Sequence, residues 1–144
     1  MTPIRVKLTT TGFGFIPDYA HGPEEDAGMD LRSTEQYNLA VGERVTLGTG
    51  ISIELPPGYE AQVRPRGGLT ANHGIVAHFG TIDPGYRGEI HVVLFNHGRG
   101  AFFVKKGMKV AQLVVARYEA VVWDVVTALS DSARGNGGFG STGL

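Results

Sequence analysis

Cysteine is absent from the 144 residues, which excludes disulfide staples and thiolate metal sites and suits a reducing cytoplasm. Neither charge is in surplus: thirteen basic and fourteen acidic residues leave a net charge of -1. A general nucleic-acid binder, or a protein adhering to anionic membranes, would carry a basic excess. Any anion handled here must therefore be met by local geometry, and neither nucleic acid nor membrane is an expected partner. No apolar run approaches the ~20 residues of a bilayer-crossing helix, and the N-terminal stretch lacks the charged-then-apolar form of a secretory leader. Helix signals are nearly missing too; one or two turns near residues 69–73, without a capping box, are all the pattern supports. The five histidines (His21, His73, His78, His91 and His97) form no H-E-x-x-H spacing, which argues against a zinc enzyme.

Glycine is what the chain has in excess. Its 22 glycines are about twice the usual share of ~7 % and point to frequent turns and close backbone approaches. Between the turns lie strand patterns. Residues 4–8, 51–55 and 59–64 alternate apolar with polar, the mark of half-buried strands. Residues 92–95, 110–115 and 121–123 read as more fully buried strands. Turn clusters fall at 41–43, 48–50, 56–58, 96–100 and 105–107. Short strands at this spacing predict one all-β domain, a sandwich, jelly roll or closed barrel, over residues 1–129. A short hinge at 130–133 leads into a glycine-rich arm, so that 130–144 forms a separate element.

Five segments carry chemistry. The arm reads Arg134-Gly135-Asn136-Gly137-Gly138-Phe139-Gly140-Ser141-Thr142-Gly143: donors suited to phosphate oxygens, glycines that let N–H groups turn together, and one aromatic ring able to cover a flat base. A loose terminal tail is the plainer reading of the same residues. Its G-x-G-x-x-G spacing is no dinucleotide fold, since no helix follows before Leu144. Gly80-Thr81-Ile82-Asp83-Pro84-Gly85-Tyr86-Arg87-Gly88 puts a carboxylate and a phenol three residues apart on a tight turn, expected at the mouth of a hairpin whose second strand runs from Glu89 to Asn96. Asp83 bonding nearby backbone N–H groups is the alternative. Arg64-Pro65-Arg66-Gly67-Gly68 at a helix start makes a phosphate cradle or two surface arginines. Asp30 and Arg32 share one face of a strand, where they could form an ion pair. Gln112 sits inside an apolar strand and needs partners, either in the fold or in a ligand.

In this order the five segments resemble the five motifs of the trimeric deoxyuridine triphosphate nucleotidohydrolases (dUTPases). The resemblance runs from about Asp26 to Gly143 and includes Leu55-Pro56-Pro57-Gly58-Tyr59. Each segment alone is weakly specific; the ordered set, ending in the glycine-rich arm, is highly specific. It implies a β-rich jelly-roll (β-clip) subunit in a homotrimer, with each active site assembled from three chains. It implies hydrolysis of dUTP with Mg²⁺, Asp83 activating the water that attacks the α-phosphorus. Tyr86 would lie beneath deoxyribose, and the hairpin around Gly80, Thr81 and Ile82 would read uracil through its backbone. Arg66, the Gly67 and Gly68 amides and Gln112 would hold phosphates. Arg134, Gly140, Ser141 and Thr142 would close over the γ-phosphate, with Phe139 on the base. Asp30 would meet the metal through water or orient a neighbour.

The chain departs from the family pattern in places. Gly67 stands where the second motif usually has serine, and Met108 where the fourth usually has an acid. Pro84-Gly85 is also reminiscent of dCTP deaminases. Those enzymes need a proton-shuttling glutamate in the following strand, where this chain has Val93; the nearest acid is Glu89. A non-catalytic nucleotide-binding module on the same scaffold is the alternative from another class.

Overall fold

Residues 59–64 alternate in sequence and form a strand over those same residues. In the computed structural model, which describes residues 1–144, the strands are β1 (Lys7–Thr10), β2 (Met29–Arg32), β3 (Tyr37–Leu39), β4 (Arg44–Gly48), β5 (Ile51–Glu54) and β6 (Tyr59–Arg64). After the one helix, α1 (Gly67–His73), come β7 (Ile75–Ala77), β8 (Gly80–Ile82), β9 (His91–Asn96), β10 (Phe102–Val104) and β11 (Lys109–Arg117). They pair antiparallel as a four-stranded sheet β2-β11-β6-β8, a three-stranded sheet β4-β9-β7, and the pairs β1-β5 and β10-β3. The mostly β architecture with one short helix is the class the turn and strand spacing predicts.

Strand periodicity sorts the side chains. On β6, Ala61 and Val63 are buried while Gln62 and Arg64 point away. On β9, Val92 and Leu94 are buried but Val93 and Phe95 only half-buried, so this strand is less enclosed than its apolar run suggests. Both larger sheets contribute to one core, with Leu31, Val63 and Leu113 from one and Leu47, Val92 and Leu94 from the other. Fully burying such a side chain stabilises by about 1.5–3 kcal/mol. Asn96 is the notable polar member, and it is satisfied. Its Nδ2 donates to Leu39 O (2.9 Å) and Gly100 O (3.0 Å), and its Oδ1 accepts from Gly98 N (2.8 Å).

α1 begins after Arg66, whose side chain makes no capping bond, and ends at Gly74, whose N–H bonds Thr70 O at 2.9 Å. Seven residues do not hold a helix in water; Leu69 packed against the core supplies the support.

Two strand expectations need correction. The alternation at residues 4–8 becomes β1 only from Lys7, because pairing with β5 runs from Lys7↔Glu54 to Thr10↔Ile51. Residues 121–123 form no strand and no core: Val121, Val122 and Trp123 are 71 %, 97 % and 83 % exposed. After Tyr118, whose N–H still bonds Gly58 O at 3.1 Å, the chain leaves the body, every residue from 119 to 136 being exposed. Apolar character indicates a need for cover, and no surface of the same chain provides it there.

Candidate active site

Register aligns three of the segments. Gln112 on β11 lies opposite Asp30 on β2 and opposite Arg64 on β6. The Gln112 amide donates from Nε2 to Pro65 O at 2.9 Å, so one of its bonds is a stitch of the fold. Its Oε1 lies against Gly28, where any Cβ would collide with it; only glycine permits that approach. Asp30 is largely buried. Lys109 Nζ lies 2.7 Å from its Oδ2 and Arg66 Nε 3.6 Å from its Oδ1. The Lys109 contact is short but poorly directed, so Oδ2 is matched by charge and not by a well-aimed hydrogen bond. The ion pair of Asp30 with Arg32 does not form. Arg32 donates to Gly107 O at 3.0 Å and lies 5.9 Å from the Phe15 ring. A register shift between Lys109 and Ala111 accompanies the new pairing, as bulges re-aim side chains. Lys109 was not legible as an Asp30 partner from strand spacing, which shows same-strand neighbours and no cross-strand ones.

Arg66 also donates to Lys109 O at 3.3 Å. Next to it, Gly67 and Gly68 are exposed, with open space where a Cβ would stand, and they begin the helix with free first-turn N–H groups. The result is an edge of cations and amide donors whose one carboxylate, Asp30, already faces two cations. No three His, Asp or Glu side chains converge anywhere in the chain. The edge therefore suits a polyanion, and it suits a divalent ion only if that ion brings most of its ligands with it, as Mg²⁺ on phosphates does.

Asp83 stands elsewhere. β8 runs along β6 with Gly80 opposite Val63, Thr81 opposite Gln62 and Ile82 opposite Ala61. Ile82 and Ile90 are both buried, and residues 83–89 are strung between them. Thr49 Oγ1 and N both donate to Ile90 O, and Ile90 N donates to Ile51 O at 2.8 Å, which fixes the far anchor. The turn is closed by Tyr86 N donating to Asp83 O at 3.1 Å, around Pro84-Gly85 as expected. The Tyr86 hydroxyl donates to Glu89 O at 2.8 Å, and its ring lies over Gly88, where a Cβ would strike it. The Asp83 carboxylate is exposed and belongs to none of the ion pairs. The expected hairpin is absent: β8 pairs with β6, whereas β9 starts at His91 and pairs with β4 and β7. The loop crosses from one sheet to another.

Within one chain, Asp83 and the cationic edge lie toward opposite ends of β6. Ala61 and Arg64 are three residues apart, roughly 10 Å at about 3.3 Å per residue. Asp83 follows Ile82, the partner of Ala61, toward the start of β6, whereas Arg66 lies past Arg64, the last residue of β6. The arm joins neither group. Its hydrogen bonds are internal, among them Arg134 Nε to Gly137 O (2.8 Å), Ser141 N to Gly138 O (3.1 Å) and Gly143 N to Gly140 O (2.9 Å). Phe139 is fully exposed, and Gly140, Ser141 and Thr142 are exposed beside it. The structure thus gathers Asp30, Arg66, Gly67, Gly68 and Gln112. It leaves Gly80, Thr81, Ile82, Asp83 and Tyr86 in a second place and the arm in a third.

The family model described as dUTPase matches residues 16–143. The chain belongs to the dUTPase family. The curated deoxyuridine 5'-triphosphate nucleotidohydrolase of Solibacter usitatus is 54 % identical over 130 residues, 89 % of this chain and 88 % of that protein. Its counterpart in Rickettsia felis is 45 % identical over 148 residues, covering 100 % of this chain and 99 % of its own. Among solved structures, the dUTPase of Staphylococcus bacteriophage 80alpha, with dUPNHPP, matches with a TM-score of 0.91 at 24 % identity, over 97 % of this chain and 99 % of that one. A mutant dUTPase from phage phi11 of S. aureus, described with a structural Mg(II) ion, matches with a TM-score of 0.81 at 21 % identity, over 87 % and 98 % of the two chains. At those identities the likeness carries the fold, which is the dUTPase fold.

Proposed function

We propose that the chain hydrolyses dUTP to dUMP and pyrophosphate with Mg²⁺, as a cytoplasmic homotrimer with shared sites. The reaction would keep uracil out of DNA and supply dUMP for thymidylate. The observation that carries this reading is an unpaired, exposed carboxylate, Asp83, fixed on a Pro-Gly turn in a chain of the dUTPase family.

In the mechanism we infer, Asp83 accepts a proton from water as the water oxygen attacks the α-phosphorus and pyrophosphate departs in line. Tyr86, held by its hydroxyl on Glu89 O, offers its ring to deoxyribose and leaves no room for a ribose 2′-hydroxyl. The backbone around Gly80, Thr81 and Ile82 reads uracil. Arg66, the Gly67 and Gly68 amides and Gln112 bind phosphate oxygens. Residues 130–144 act as the arm: Arg134, Gly140, Ser141 and Thr142 close over the γ-phosphate and Phe139 covers the base. Asp30, through water, is the side chain that would meet Mg²⁺, which when bound neutralises phosphate charge and holds the chain of phosphates in line.

The trimer reading is supported by the spacing along β6, since a carboxylate and a cradle at opposite ends serve one triphosphate most simply from two chains. It is supported again by the arm, which rests on nothing of its own chain, and by the bare apolar residues 121–123, which a partner copy would cover.

One assay tests the reading: each deoxynucleoside triphosphate with Mg²⁺, pyrophosphate and ammonia measured separately. Pyrophosphate from dUTP alone is expected. Ammonia from dCTP would indicate a deaminase, against which stand Val93 on β9 and Glu89, whose Oε2 is 2.8 Å from His91 Nε2. Neither product would leave a binding module. Gly67→Ser is expected to raise kcat/KM for dUTP about two- to tenfold, because open space at Gly67 accepts the side chain and one added hydrogen bond contributes about 0.5–1.5 kcal/mol. A fall in kcat/KM would show that the glycine amide alone is the better donor.

A further inference from the structure

We propose that Arg87, anchored by Glu54, is the positioning residue for the turn that carries Asp83 and Tyr86. The inference rests on the reading of Asp83 as general base and adds what holds that base in place.

The turn has little else to hold it. Pro84 has no N–H, the one backbone bond inside the turn is Tyr86 N to Asp83 O, and beyond it only the Tyr86 hydroxyl on Glu89 O ties the loop to itself. The guanidinium of Arg87 fills the gap. Its Nη1 donates to Pro84 O at 2.6 Å and to Tyr86 O at 3.2 Å, on either side of Gly85. Its Nη2 donates to Glu54 Oε1 at 3.1 Å. Glu54 lies on β5, opposite Lys7 on β1 in register, and Lys7 Nζ is 3.1 Å from its other oxygen. A planar guanidinium can serve carbonyls on one nitrogen and a carboxylate on another, which a lysine cannot. The chain of contacts runs from a strand pair, through Glu54 and Arg87, to the carbonyls bracketing the turn. The Lys7 hydrogen bond and charge, then Arg87, hold the Glu54 carboxyl below its ordinary range, so the anchor stays ionised at neutral pH.

As a stabilising contact this network counts for little, since Lys7, Glu54 and Arg87 side chains are 85 %, 42 % and 54 % exposed and exposed pairs contribute weakly. Its effect lies in placement. An ångström of misplacement of a reacting group can cost on the order of 100-fold in rate, and Arg87 holds the carbonyls on both sides of Gly85.

The test is Arg87→Gln, Arg87→Lys, Glu54→Gln and the double variant, in the full chain with dUTP and Mg²⁺. Arg87→Gln is expected to lower kcat at least about tenfold, with KM within about twofold and the melting temperature within about 4 °C. Arg87→Lys recovers part of the loss. Glu54→Gln loses less than Arg87→Gln, and the double variant is no slower than Arg87→Gln alone, because Glu54 acts through Arg87. Amide exchange at Tyr86 N, bonded to Asp83 O, accelerates in Arg87→Gln while Leu94 stays protected. Wild-type kcat in Arg87→Gln overturns the inference, as does a loss of kcat that only follows a large fall in melting temperature. A wild-type chain inert toward dUTP sinks the reading of Asp83 instead, and Tyr86 exchange then decides the turn by itself.

Discussion

Asp83→Asn is expected to lower kcat for dUTP by about 10²–10⁴-fold, the usual contribution of a positioned general base, while nucleotide affinity stays within a few-fold. The amide has the shape of the carboxylate but cannot take the proton. Little else should change, because the side chain is exposed and in no ion pair, so no buried partner is stranded. Single-turnover kinetics with dUTP, beside calorimetric binding of a non-hydrolysable analogue, separates the two effects. Unchanged turnover would remove Asp83 from the mechanism. A loss of binding equal to the loss of rate would make it a substrate contact.

Removing residues 134–144 is expected to lower kcat/KM by at least about 100-fold and to leave the melting temperature nearly unchanged. None of these residues is buried, and their hydrogen bonds stay inside the arm. On substrate, Arg134, Ser141 and Thr142 would donate to charged oxygens, each such bond contributing about 1.5–3 kcal/mol. Phe139 would stack on the base for about 1–3 kcal/mol. Ordering the arm's backbone on substrate opposes these contacts, so the net loss is far below their sum. A thermal melt beside steady-state kinetics checks both halves. A drop of many degrees would make the segment a structural strap.

Much of the fold was legible because its signals are local. The alternation at residues 59–64 required only one strand's own residues, and the turn at Pro84-Gly85 only its own backbone preferences. Asp83 and Tyr86 were legible as a pair for the same reason. What escaped was set by partners distant in sequence. The Asp30 ion pair went to Lys109 and Arg66, which no inspection of residues 29–32 reveals. The expected hairpin failed because β8 and β9 each found a better neighbour in a different sheet. Residues 121–123 were read as core because apolar composition reports the wish for cover without its address. Glu54 lies 33 positions from Arg87, and nothing in either segment announces the other.

The loop of residues 83–89 hangs between Ile82, which ends β8, and Ile90, which precedes β9, and those two strands lie in sheets that share a core but no ladder. The distance between its moorings is therefore set by interior packing, which in proteins is dense enough to transmit small shifts. Cores repacked with other apolar residues lose uniqueness of structure before they lose stability. Conservative swaps at Val63 or Leu94 would then reach the chemistry as a blurring of aim, in a molecule that still melts where it did.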